Sequence, residues 1–153
     1  GCPARSVMRM AQPDVIDVTG FVEDVRPYLA EASVVVVPLR IGGGTRLKIL
    51  EALAMGKAIV STTLGVEGIA AVPGRDLILA DRPDEFADHV LALLKNEDLR
   101  LRLGTSAQRL ATSCYDWNWI VRLLEDVYGR CQIGSSVKKE IYAAGTLLSP
   151  RPG

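Results

Sequence analysis

Residues 33–55 constrain the fold more than any other stretch. Ser33 to Leu39 contains four consecutive valines, the turn Gly42-Gly43-Gly44-Thr45 follows, and Arg46 to Met55 carries helical periodicity. A run of valines is poor helical material, and it suits a central strand covered on both faces, as in the parallel sheets of α/β folds. Leu47, Leu50, Leu53 and Ala54 form an apolar stripe on the predicted helix, and Gly56 is placed to stop it. The same strand-to-helix alternation extends in both directions. Val15 to Thr19 reads as a first strand, Glu23 to Ala32 as a helix with Pro27 near its first turn, and Lys57 to Thr63 and Leu77 to Ala80 as further strands. Gly65 to Gly68 reads as a flexible turn. Three helices are expected afterwards, marked by Phe86-Val90-Leu93-Leu94, by Leu99-Leu103-Ala107-Leu110 and by Trp117-Ile120-Leu124-Val127. The fold class is therefore α/β, a parallel sheet with helices packed on its faces. One domain is expected over residues 1–131, and a mobile tail over 132–153, where periodicity fades into Gly, Ser and Pro.

Charge and cysteine content narrow the function classes. Eighteen basic residues balance 18 acidic ones, which argues against a general nucleic-acid binder, although a local anion site remains compatible with it. No apolar stretch approaches the roughly 20 residues a membrane-spanning helix needs. Cys2, Cys114 and Cys131 are scattered and lack a C-x-x-C pair or a neighbouring histidine, so no disulfide framework or zinc site is expected, and an intracellular setting is. No secretory signal is visible in residues 1–9.

A strand, a glycine turn and a helix in succession can hold phosphate, because glycines admit close approach and the helix start presents unpaired N–H groups and a positive dipole end. The spacing matches neither the P-loop nor the dinucleotide fingerprint, so a turn chosen for chain geometry alone competes with this reading. Thr45 is placed to cap the helix and offer a hydroxyl to the anion, and Arg46 and Lys48 put positive charge where the dipole opposes it, a conflict an anion would relieve. Arg40 is assigned to solvated surface. Glu51 lies six residues beyond Thr45, about 9 Å along the helix, within reach of a ribose whose diphosphate rests on the helix start. The competing reading of Glu51 is a surface partner for Lys48 or Lys57.

Taken in order, Val18 to Val25, Tyr28 to Ala32, Val36 to Leu39 and Gly44 to Thr62 resemble the nucleotide-sugar-binding, C-terminal half of GT-B glycosyltransferases of the group 1, family 4 type. Gly65-Val66-Glu67-Gly68, Tyr115-Asp116-Trp117 and Leu124 to Tyr128 continue the match, which spans about Val15 to Arg130. The resemblance implies a Rossmann-like three-layer sheet with C-terminal helices and a donor site facing a second domain. It implies that Gly20, Phe21 and Val22 border the base, that Gly43, Gly44 and Thr45 meet the diphosphate, and that Glu51 binds the ribose hydroxyls. Many relatives carry a sugar-contacting glutamate eight positions before this acid, where the present chain has Gly43, and Arg46 replaces a common glycine. The family's donor domain starts with a further strand and helix, preceded by an acceptor domain. The chain is thus expected to lack its first strand, to work with that N-terminal domain, and to bind donor weakly without turnover by itself.

The resemblance implies transfer of a hexosyl group from a UDP- or GDP-linked sugar, with retention and without cofactor, and also without metal, since the Asp-x-Asp motif it associates with metal-dependent enzymes does not occur. The partners are the nucleotide-sugar and the acceptor domain, and the expected location is the cytoplasm, peripheral to the membrane in the whole protein. Arg46 and Lys48 are the candidates for leaving-group stabilisation, and Glu67, after a strand end, is a further donor-site candidate. His89 is assigned to a helix boundary, and Trp117 to a packing stripe rather than to sugar stacking. Two alternatives stay open. One is a non-catalytic nucleotide-binding or interaction module of the same fold, favoured by Gly43, and the other is an epimerase of related architecture.

Overall fold

The structure, a computed structural model, describes residues 4–44 and 46–146, with side-chain burial through residue 131. Its described strands form one parallel sheet in the order β1 (Val35–Val37), β2 (Ile59–Ser61), β3 (Ile78–Leu79). Val35 pairs with Ile59, Val37 with Ser61, and Val60 with Ile78. The helices are α1 (Arg5–Met8), α2 (Arg26–Glu31), α3 (Leu47–Ala54), α4 (Pro83–Lys95), α5 (Glu97–Cys114) and α6 (Trp117–Thr146), with a 3-10 turn at Leu64–Val66.

Strand alternation sends successive side chains to opposite faces and so generates three layers. Ile59 and Leu77 join Ile49, Ala52 and Leu53 of α3 and Ala107, Leu110 and Ala111 of α5 in one core. Val60 and Ala58 turn the other way, onto Leu93 of α4 and Leu103 of α5. Pro27 and Pro83 stand in the first turns of α2 and α4, where a missing N–H costs no helical bond. Asn96 caps α5, accepting a bond from the Leu99 N–H at 2.9 Å. Gly56, at φ 64°, ends α3 in the left-handed conformation expected of a helix stop.

Four expectations are corrected. Val15 to Thr19 is not a strand: Gln12 and Ile16 exchange bonds of 2.9 and 2.8 Å across a turn at Pro13 to Val15, with Asp14 at φ 61°. That turn uses backbone groups a ladder would need, and Val15 stays 75% exposed. The valine strand β1 is an edge rather than a centre among the described strands, β2 being central and wholly buried, and Val36 on the uncovered side is 48% exposed. On α3 the buried residues are Ile49, Ala52 and Leu53, while Leu47 faces out. Finally, Trp117 is 76% exposed rather than packed, and the apolar face of α6 that includes Leu124 and Val127 is open. Helix α6 runs on to Thr146, past the point where sequence periodicity fades; residues 147–153 lie outside the described residues.

A buried carboxylate secures the approach to β3. Asp76, 1% exposed, accepts from Arg75 Nε and Nη2 at 2.9 and 2.8 Å, from Ser106 Oγ at 2.6 Å and from the Val72 N–H at 2.8 Å. The Arg75 guanidinium, with Ser106 and the Val72 N–H, outweighs burial and holds the Asp76 carboxyl below 3.8, at about 2. A depressed folded-state value means that the stabilisation is complete above about pH 4 and is lost as pH falls through about 2. It amounts to about 2 kcal/mol at most, because Arg75 faces solvent. Asp76→Asn should therefore lower thermal stability at neutral pH and narrow its difference from the parent chain towards pH 2. Parallel melting curves at every pH would refute this assignment.

Candidate functional site

The site is built at the carboxyl ends of β1 and β2, where ligands enter open α/β sheets. Side chains of β2 tie the two ends together: Ser61 Oγ donates to the Val37 carbonyl at 3.3 Å and Thr62 Oγ1 to the Leu39 carbonyl at 2.6 Å. Thr62 Oγ1 also accepts from the Gly65 N–H at 3.2 Å, which fixes the 3-10 turn. From Leu39 the chain crosses to α3 through Gly42 at φ 147° and Gly44 at φ 94°, conformations that favour glycine. Thr45, the expected cap, lies outside the described residues. Arg46 occupies the N-cap position with non-helical φ and ψ of −83° and 54°, and among the described residues no side chain caps the helix or places an acid in its first turn.

Arg46 is the most unusual group here. Its side chain is 9% exposed, and its Nη2 reaches the Gly42 carbonyl at 3.3 Å and Glu67 Oε2 at 3.5 Å. Its Nε is buried and has no hydrogen-bond partner among the described residues. A buried charge-bearing donor left unpaired is costly, and here it sits at the positive end of a helix dipole, which compounds the cost. An incoming anion removes both penalties.

Two clefts flank the start of α3 and meet at Arg46 and Leu47. One, of about 600 Å³, holds Lys48 and Glu51 beside Val36, Pro38 and Leu39 of the β1 end. The other, of about 930 Å³, holds Gly44 and Glu67 with Leu50, Tyr115 and Trp117. Helical geometry makes the division: Lys48 and Glu51 share one face of α3, and Leu47, Leu50 and Ala54 the adjacent one. The structure thus brings Arg46, Lys48 and Glu51 to the first cleft, and Gly44, Arg46 and Glu67 to the second. Gly43, Gly20, Phe21 and Val22 line neither, and Phe21 is 78% exposed. His89 is half-buried on α4, away from both clefts.

The surface-pair reading of Glu51 loses one of its partners. Lys57 Nζ donates to the carbonyls of Ala30 and Ala32 at 2.7 and 3.2 Å, closing the carboxyl end of α2. Among the described residues neither Lys48 nor Glu51 is in an ion pair. Glu67, the donor-site candidate after the strand end, stands as counter-ion to Arg46. Sequence reasoning missed Ser61, Thr62 and Tyr115, whose hydroxyl oxygen accepts from the Ala70 N–H at 2.7 Å and holds the wall of the larger cleft. Hydroxyl residues closing a buried strand are the signal for Ser61 and Thr62, and Tyr115 stood in the matched Tyr115-Asp116-Trp117 stretch without a role at the site.

No helix among the described residues is long and apolar enough to cross a membrane. The model of the family described as "Glycosyl transferases group 1" matches residues 2–96, more than half of the chain. A curated relative, an uncharacterised glycosyltransferase of Methanocaldococcus jannaschii, is 27% identical over 108 residues, covering 69% of this chain and 30% of its own length. Among solved structures, sucrose-phosphate synthase of Thermosynechococcus elongatus superposes with a TM-score of 0.64 at 19% identity, over 72% of this chain and 28% of that one. The C-terminal domain of a group 1 glycosyl transferase of Francisella tularensis superposes with a TM-score of 0.58 at 23% identity, over 64% and 52%. The parallel three-stranded α/β fold is that of these GT-B neighbours, and the chain spans less than a third of the curated relative it matches. On the family match and the fold together, the chain belongs to the group 1 glycosyl transferases.

Proposed function

We propose that this chain is the nucleotide-sugar-binding, C-terminal half of a family 4 type glycosyltransferase. It takes a UDP- or GDP-linked sugar as substrate and works with an acceptor-binding domain in the cytoplasm, peripheral to the membrane. The observation that carries the reading is the buried Arg46 guanidinium at the start of α3, its Nε without a partner among the described residues. Lys48 and Glu51 stand on the same helix start, open to the cleft.

Glycosyl transfer develops positive charge at the anomeric carbon and negative charge on the departing diphosphate. Arg46, Lys48 and the α3 N–H groups meet that negative charge. They stabilise it more in the transition state than in the bound donor, and this lowers the barrier without calling on a metal. Glu51, one turn further along the same face, accepts the ribose hydroxyls. Transfer with retention of a hexosyl group follows from the family type, and the acid/base groups are assigned to the acceptor domain.

Calorimetric titration with UDP, GDP and their sugar conjugates tests the reading. Saturable binding is expected, and Lys48→Ala and Glu51→Ala should each weaken it by roughly 1 to 3 kcal/mol. Affinity unchanged in both variants would return these residues to the surface.

A further inference from the structure

A third cleft, of about 640 Å³, lies at the opposite, amino-terminal end of the sheet and shares no lining residue with the two at α3. One wall is the turn before β3, Gly74 and Arg75, and the other is α5. From α5 come Arg102, Thr105, Ser106 and Arg109, spaced i, i+3, i+4 and i+7 and so on one helix face. Ser106 and Arg75 are both bonded to the buried Asp76 carboxylate, which pins the floor of the cleft. The Arg75 bonds use Nε and Nη2, leaving its Nη1 unassigned. Arg102 and Arg109 are exposed, and among the described residues their guanidinium groups are in no ion pair or hydrogen bond. Arg100, on another face of the helix, is spent on the carbonyls of Leu93 and Leu94.

The geometry points to a second anion site here, one that takes a phosphate group and is independent of the nucleotide-sugar reading. Three arginines line the cleft and the carboxylate beneath it, Asp76, pairs with one of them, Arg75, so the cleft carries an excess of two positive charges, in a chain whose net charge is zero. Arg102 and Arg109 stand about 10 Å apart along the helix axis, a span that lets both side chains reach one anion over Thr105 and Ser106. A carboxylate is satisfied by a single bidentate arginine. A phosphate has three free oxygens for three arginines and carries a charge close to the excess of the cleft. Leu101, 61% exposed, forms part of the rim, so the phosphate arrives either on a soluble ligand or as the headgroup of an anionic lipid.

The test uses the full chain and the double variant Arg102→Gln/Arg109→Gln, both sites being exposed and tolerant of glutamine in a helix. Inorganic phosphate is titrated by calorimetry, and binding to phosphatidic acid and phosphatidylcholine vesicles is read by sedimentation. Saturable phosphate binding that falls at least tenfold in the double variant assigns the site to a soluble phosphorylated ligand. Sedimentation with phosphatidic acid vesicles alone, lost in the double variant, assigns it to a lipid headgroup. Arg102→Lys/Arg109→Lys, which keeps the charge and loses the fork, should restore lipid binding better than phosphate binding. The melting temperature of the double variant and its UDP and GDP titrations should match the parent chain. Absence of both phosphate and vesicle binding, or binding that the double variant retains in full, overturns the proposal.

Discussion

Gly104→Ala is expected to lower the stability of the fold by about 3 kcal/mol, or roughly 10 °C in Tm. Helix α5 crosses the end of α3 at this glycine, and a Cβ there overlaps the Gly56 carbonyl oxygen and stands 2.9 Å from its carbon. Both obstacles are backbone, and Gly56 is itself held at φ 64°, so neither side has a flexible group to move away. The helices would have to separate, opening the contact that buries Leu53, Ala107 and Leu110. The same substitution at Gly129 of α6, where a Cβ meets nothing, should instead stabilise by up to about 1 kcal/mol through helix propensity alone. Thermal melts of the two variants decide it: equal shifts would show that helix propensity rather than the α3 to α5 contact governs position 104.

Arg46→Met should abolish high-affinity nucleotide binding while leaving the fold intact or slightly more stable. Methionine keeps the apolar stem that fills the space between the clefts. It removes the buried guanidinium, whose Nε is unpaired and whose contacts to Gly42 and Glu67 are long. If the diphosphate supplies the missing partner, its loss costs about 3 kcal/mol, more than one hundredfold in Kd and more than is expected for exposed Lys48. Glu67→Gln removes the counter-ion instead, and so should leave binding unchanged or tighten it. A gain in melting temperature combined with unaltered nucleotide affinity in Arg46→Met would make Arg46 a misfit of the core rather than a ligand.

The sequence by itself determined what local pattern determines. Val34 to Val37, Ile59 to Ser61 and the apolar repeats of α4 and α5 each report the backbone conformation in which their side chains reach one core, and the parallel α/β class follows from their alternation. The glycine turn before α3 and the basic pair behind it were legible for the same reason, since φ above zero and charge at a helix start are properties of a few adjacent residues. Only the tertiary structure decided which strand lies at the edge, because pairing is a relation between segments remote along the chain and the valines of β1 are alike on either side. It decided that Val15 to Thr19 folds back on Gln12 rather than joining a ladder, that Trp117 opens onto a cleft, and that α3 divides the candidate site in two. The burial of Arg46 and the close crossing at Gly104 belong to the same class. Each depends on what a distant segment brings against the residue, and no spacing along the chain records that.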